Sequence, residues 1–137
     1  MTLTLERTEN EYAYLIGKIT TDNNLNFCTL EFGEGTILPA GTYSLKMAFN
    51  QAHTEKYIAI YSEIGNYETV FVKDNTFVHK CIRLRKNNSF ITLGFQLVNY
   101  AMTQTDNAYY ILTNLIEKEL AHDRKVILIV KKSIFCD

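Results

Sequence analysis

The chain is a succession of short segments that either alternate between apolar and polar residues or are rich in β-branched and aromatic residues, separated by turn residues. Alternation with a period of two places every second side chain on the same face of a β-strand. The first such segment begins with Leu3, Leu5 and Arg7. The other predicted strands are 12–19, 25–32, 43–49, 57–61, 69–72, 78–84, 90–98 and 126–130.

Residues with special backbone preferences mark several of the boundaries. Residues 21–24, Thr-Asp-Asn-Asn, form a polar turn that tolerates left-handed backbone, with Asn23 and Asn24 in hairpin position. Pro39 fixes one turn dihedral and Gly41 supplies a positive φ, which predicts a tight turn before 43–49. Gly94 lies inside a predicted strand and indicates a bulge or a close backbone approach.

One segment has helical rather than strand periodicity. It runs from Asp106 to His122, with Thr105 or Asp106 as the predicted N-cap. The predicted apolar face consists of Ala108, Ile111, Leu112, Leu115, Ile116 and Leu120. His122 ends the helix, where a cation complements the helix dipole.

This order of elements predicts one α+β domain over residues 1–137 that is mostly β. The expected architecture is an antiparallel β-sandwich or a partly open barrel, with one helix over about 106–122 and a final strand. The high content of Tyr and Phe, 9 and 8 residues, and the single Pro favour strands.

Composition excludes several classes of function. The net charge of −1 and the pI of about 6.3 give no electrostatic case for binding nucleic acid or an anionic membrane. No run approaches the roughly 18 apolar residues of a membrane-spanning helix, and residues 1–7 do not resemble a signal peptide. We therefore expect synthesis in the cytoplasm, with delivery to the cell envelope or to a phage particle depending on other factors.

The cysteines predict neither a metal site nor a disulfide framework. The chain has 3 cysteines, Cys28, Cys81 and Cys136, with no Cys-x-x-Cys spacing. We expect no metal and no cofactor. Cys28 is predicted to be a buried small residue inside a strand.

The segment Val78 to Leu84 carries the most chemistry. If it is extended, one face is mostly apolar, and the other presents His79, Cys81, Arg83 and Arg85. Cations beside a cysteine favour the thiolate, which is the attacking species in cysteine acyl transfer. Residues two apart on a strand lie about 6.6 Å from each other, which is too far for His79 to deprotonate Cys81 directly. A packed strand cysteine without catalytic function is the alternative.

The same segment resembles the catalytic Ser-His-Gly-Cys-Ile/Val-Arg motif of the L,D-transpeptidases, which cross-link peptidoglycan through a cysteine acyl-enzyme. His79, Cys81, Ile82, Arg83 and Leu84 match that motif. The resemblance implies that Cys81 is the nucleophile, and that Arg83 stabilises developing negative charge or holds a substrate carboxylate.

A second resemblance covers nearly the whole chain. A family of unknown function, common in phages and in Bacteroidetes, looks like small transpeptidase-like β-domains. Its members begin with Leu-x-Leu-x-Arg, as in residues 3–7, and carry Ile-Pro-Ala-Gly-Thr-Tyr, matched by residues 38–43. Their Ile-His-x-Gly-Asn-Thr segment corresponds to residues 72–76, which include Asn75. This implies substrate-binding roles for Arg83, Arg85 and Asn75.

Two departures bear on catalysis. Lys73 stands where the family has the histidine expected to be the general base, and Lys80 stands where a small glycine precedes the cysteine. Lys73 can act as a base only if burial lowers its pKa far below the ordinary value. The bulk of Lys80 can block approach to the acyl group.

Three functions are consistent with these residues. The first is a degenerate, non-catalytic transpeptidase-like module of a phage or mobile element that binds cell-wall peptide or a protein partner. The second is an active cysteine transpeptidase or amidase that uses Cys81 with His79 or Lys73. The third is a structural β-domain of a virion or secretion particle, forming a homo-oligomer through exposed tyrosines among Tyr12, Tyr14, Tyr57, Tyr61 and Tyr67.

Overall fold

The computed structural model describes residues 1–11, 14–32, 38–49, 56–62, 68–72, 90–98 and 101–133. These residues form ten strands and one helix. The strands are β1 (Thr2–Glu11), β2 (Tyr14–Thr21), β3 (Asn26–Phe32), β4 (Gly41–Phe49), β5 (Lys56–Ser62), β6 (Glu68–Val72), β7 (Phe90–Gly94), β8 (Gln96–Val98), β9 (Ala101–Thr103) and β10 (Ile127–Val130). The helix, α1, spans Thr105–Ala121.

Eight of these strands form a closed barrel in the order β1-β10-β4-β5-β6-β7-β3-β2. The barrel closes because β10 pairs in parallel with β1, from Thr2 opposite Ile127 to Leu5 opposite Val130, and antiparallel with β4. The predicted mostly β class with one helix is confirmed. Of the two predicted architectures, the barrel is found and the sandwich is wrong. The barrel is closed and not partly open, since pairing between β1 and β10 leaves it without an edge.

The prediction of an antiparallel sheet is also wrong in part. The β1–β10 pair is parallel, and so is the pair of β6 and β7, in which Val70 lies opposite Phe90. Parallel neighbours cannot be joined by a tight hairpin, because the chain must return to the end of the barrel from which it started. Periodicity within a strand carries no information about the direction of its neighbour.

The predicted polar turn between β2 and β3 is confirmed. Asn24 has a φ of 66°, and its amide donates to the carbonyl of Thr21 at 3.0 Å. Asp22 ties this turn to the first strand, because its carboxylate accepts from the amide of Thr2 at 3.0 Å. The close pairing of β1, β2 and β3 thus follows from a turn that the sequence encodes locally.

Gly94 ends β7 at a close approach, as predicted. A Cβ atom there would lie 2.2 Å from Cγ of Met102 and 2.8 Å from the carbonyl oxygen of Thr103. The predicted single strand 90–98 is wrong, because the chain bends at Phe95 and continues as β8, which pairs with β9 in a small separate sheet. The ring of Phe95 stacks on that of Phe27, with centroids 5.3 Å apart.

The core extends through the barrel wall on one side. In β5, β6 and β7 the residues of both faces are buried, as in Ile58 and Ala59, or Val70 and Phe71. One face points into the barrel, so the other must be covered. Helix α1 packs against β7 and β4, and the amide of Ile58 donates to the hydroxyl of Tyr109 at 3.3 Å. The helix therefore completes the core on this side.

The helix differs from its prediction in two details. Its N-cap position is Gln104, which has left-handed backbone and no side-chain capping bond, instead of Thr105 or Asp106. Its buried residues are Ala108, Tyr109, Leu112, Thr113 and Ile116, whereas Ile111 is exposed and Leu115 and Leu120 are half-buried. The helix thus presents a face rotated from the predicted one, because Tyr109 packs inward.

No helix among the described residues is both long enough and apolar enough to cross a lipid bilayer.

Two neighbouring residues of the helix test this orientation. The side chain of Leu112 is 0% exposed and that of Ile111 is 38% exposed. We expect Leu112→Ala to lower the free energy of unfolding by about 2–5 kcal/mol, because it leaves a cavity in the core. Ile111→Ala serves as the matched control and should cost less than about 1 kcal/mol. Urea unfolding measures the free energy of unfolding of both variants. Equal losses would contradict the assignment of Leu112 to the buried face of α1 and of Ile111 to its exposed face.

Candidate functional site

The predicted site residues lie outside the described residues. They are Lys73, Asn75, His79, Cys81, Arg83 and Arg85, and the predicted strand 78–84 lies there with them. All belong to the stretch 73–89, which connects β6 to β7. Their roles therefore remain predictions.

Two other reactive side chains are described, and each contacts a backbone carbonyl. The thiol of Cys28 lies 3.5 Å from the carbonyl oxygen of Phe95 and is half-buried, whereas full burial was predicted. Nδ1 of His122 lies 2.8 Å from the carbonyl of Lys118, so the ring caps the helix as predicted. In the described ranges, no group of three or more His, Cys, Asp or Glu side chains is placed to hold a metal ion.

Polar side chains collect at one end of the barrel interior. β1, β3 and β5 run in one direction, and β4 and β6 run in the other. The ends of β3 and β5 and the beginnings of β4 and β6 therefore lie at the same end of the barrel, next to the second half of β1. The polar residues at this end are Arg7, Glu31 and Ser62, with Tyr43 and Thr69. We call this set the polar end of the barrel.

A buried ion pair lies at the centre of the polar end. Nε and Nη2 of Arg7 each donate to a different carboxylate oxygen of Glu31, both at 2.9 Å. The two side chains are 0% and 1% exposed. Nη2 also donates to the carbonyl of Leu38 at 2.8 Å. This two-pronged geometry is the strongest form of arginine–carboxylate contact, and it joins β1, β3 and the start of the 38–40 turn.

Gly17 makes this contact possible. β2 lies between β1 and β3, and Gly17 is in register with Arg7 on one side and Thr29 on the other. A Cβ at Gly17 would lie 2.7 Å from the carbonyl oxygen of Glu6 and 2.9 Å from Oγ1 of Thr29. The missing side chain leaves the inner surface of β2 open, so that the arginine can reach across it to Glu31.

Tyr43 holds the same turn from the other side. Its hydroxyl donates to the carbonyl of Pro39 at 2.6 Å, next to the carbonyl that Arg7 binds. Burial raises the pKa of Tyr43 above its ordinary value, and the positive charge of Arg7 opposes part of this rise. Two consecutive carbonyls are thus fixed from inside the barrel, and Leu38 itself is fully buried.

Two threonine hydroxyls in the interior make no hydrogen bond to the described part of the chain. Oγ1 of Thr29 and Oγ1 of Thr69 are buried, and both residues are 0% exposed. A buried hydroxyl without a partner costs about 1–3 kcal/mol. These two hydroxyls therefore add no described hydrogen bond to the barrel interior.

The described contacts of the polar end join strands to one another. The set combines one cation and one anion that neutralise each other, one phenol and two hydroxyls. Sequence reasoning placed Arg7 on an alternating strand but missed Glu31 and Tyr43. A signal was present, because Arg7 and Glu31 are opposite charges at positions where the strand period predicts inward side chains.

The polar end adjoins the strand that follows the predicted site residues. Glu31 is in register with Ile91, the second residue of β7, and Thr69 lies one position before Val70, which pairs with Phe90.

Comparisons of the chain with protein-family models, with curated proteins and with solved structures find no match. The transpeptidase resemblance thus continues to depend on the motifs.

Removing either member of the ion pair should destabilise the protein. We expect Arg7→Met or Glu31→Leu to lower the free energy of unfolding by about 3–5 kcal/mol, because each leaves one buried charge unpaired. The double variant should lose less than the sum, since no charge then remains. Lys131→Met is the control, because it breaks the exposed contact with Glu6 and should cost less than about 1 kcal/mol. Urea unfolding measures these losses. If the loss of unfolding free energy in the double variant equals the sum of the two single losses, Arg7 and Glu31 are not energetically coupled.

Tyr43 should make stability fall at alkaline pH. The folded pKa lies above that of the unfolded chain, so the unfolded state ionises first. The contribution of Tyr43 is complete below about pH 10 and is lost as the pH rises through the folded pKa. Tyr43→Phe should cost about 0.5–1.5 kcal/mol at neutral pH and weaken this decline. Unfolding from pH 8 to 11 tests it, with exposed Tyr110→Phe as control. If the free energy of unfolding falls as steeply with pH in Tyr43→Phe as in the parent, Tyr43 is not the group responsible for the decline.

Proposed function

We propose that the protein is a non-catalytic, transpeptidase-like accessory module of a phage or mobile element, and that it binds cell-wall peptide or a protein partner. The observation that carries this proposal is the pair of lysines in the motif. Lys73 replaces the expected general base, and Lys80 replaces the small residue beside Cys81. A cysteine that lacks a general base, and whose sulfur is crowded by a lysine side chain, does not carry out acyl transfer. The residues around it can still bind a ligand.

The histidine and the buried carboxylate that the structure describes both have other partners. His122, the one histidine in the described ranges, contacts the carbonyl of Lys118 at the end of α1, and Glu31 is paired with Arg7. His53 and His79 lie outside the described ranges. The barrel supports a binding role, because a closed sheet is a rigid platform for the chain that connects its strands.

Arginines are the residues we expect to bind the ligand. Arg83 and Arg85 alternate with the apolar Ile82 and Leu84, so an extended segment presents both on the side of Cys81. A guanidinium binds a carboxylate through two parallel hydrogen bonds, and cell-wall stem peptides carry carboxylates. Asn75 can add donors and acceptors for peptide groups. We propose that these residues hold an anionic peptide.

The alternative function is an active cysteine transpeptidase or amidase. In that scheme the thiolate of Cys81 attacks the peptide carbonyl, His79 or Lys73 receives the proton, and Arg83 stabilises the negative charge on the oxygen. The third function, an oligomerising structural subunit, loses part of its basis because Tyr57 is buried. Tyr61 is half-buried, and Tyr12, Tyr67 and the side chain of Tyr14 lie outside what the structure describes, so their part in such an interface stays a prediction. Phe49, Tyr110, Ile111 and Ile129 are exposed and also support this function.

Co-sedimentation with purified peptidoglycan sacculi tests the binding proposal. We expect the protein to sediment with sacculi, and the double variant Arg83→Gln with Arg85→Gln to bind roughly tenfold more weakly or worse. Each charge-assisted hydrogen bond contributes about 1.5–3 kcal/mol, and 1.4 kcal/mol corresponds to a factor of ten.

A matched variant controls for net charge. Arg124→Gln with Lys125→Gln removes the same two positive charges from exposed positions after α1 and should bind as the parent does. Equal weakening in both variants would mean nonspecific attraction. No sedimentation of the parent would exclude cell-wall peptide and leave a protein partner. Sacculi stripped of stem peptides should not bind, and retained binding to them would contradict peptide recognition.

Alkylation of Cys81 separates the module from the enzyme. In a Cys28→Ser, Cys136→Ser background, we expect slow reaction with iodoacetamide, either near the midpoint of about 8.5 of an ordinary thiol or after unfolding. Rapid alkylation with a midpoint well below that value would favour the enzyme. Turnover of muropeptides that disappears in Cys81→Ala would then overturn the non-catalytic proposal.

A further inference from the structure

We draw no further inference here: the strongest candidate, the patch of Ile127 and Ile129 with the neighbouring Thr2, Thr4, Thr42 and Ser44 on the outer face of β1, β10 and β4, carries nothing because no feature of the described residues shows what would cover it.

Discussion

The parallel pairing of β1 with β10 is the contact on which the rest of the structure depends. It joins the first and last described strands, and together with the β10–β4 pair it turns an open sheet into a barrel. Closure removes both sheet edges and encloses the inward side chains. Once the interior is enclosed, each charged side chain within it must find a partner there, because burying an isolated charge is prohibitively costly.

The pairing of Arg7 with Glu31 follows from that enclosure. Both residues occupy inward positions of strands that are separated by β2, and Gly17 leaves the space through which they meet. A buried ion pair is often no more stable than apolar side chains of the same volume. What it adds here is geometry, since it joins β1 and β3 and fixes the carbonyl of Leu38 beside the carbonyl that Tyr43 binds.

The polar end and the proposed binding residues belong to different segments of the chain. The polar end holds the turn before β4 and adjoins the beginning of β7, while the predicted ligand-binding residues belong to the connection between β6 and β7. The motif around Cys81 was visible in the sequence, because its chemistry lies within a few consecutive residues. Glu31 and Tyr43 were missed because their importance depends on partners far away in the chain.

The sequence by itself determined the local features: the period of two in β1, the polar turn at Asn24, the close approach at Gly94 and the cap at His122. These depend on residues a few positions apart. The tertiary structure alone decided barrel closure, the parallel neighbours and the inward rotation of Tyr109 in place of Ile111. The physical reason is that strand pairing, burial and charge neutralisation depend on segments that are distant in the chain. The periodicity within one segment carries no information about those partners.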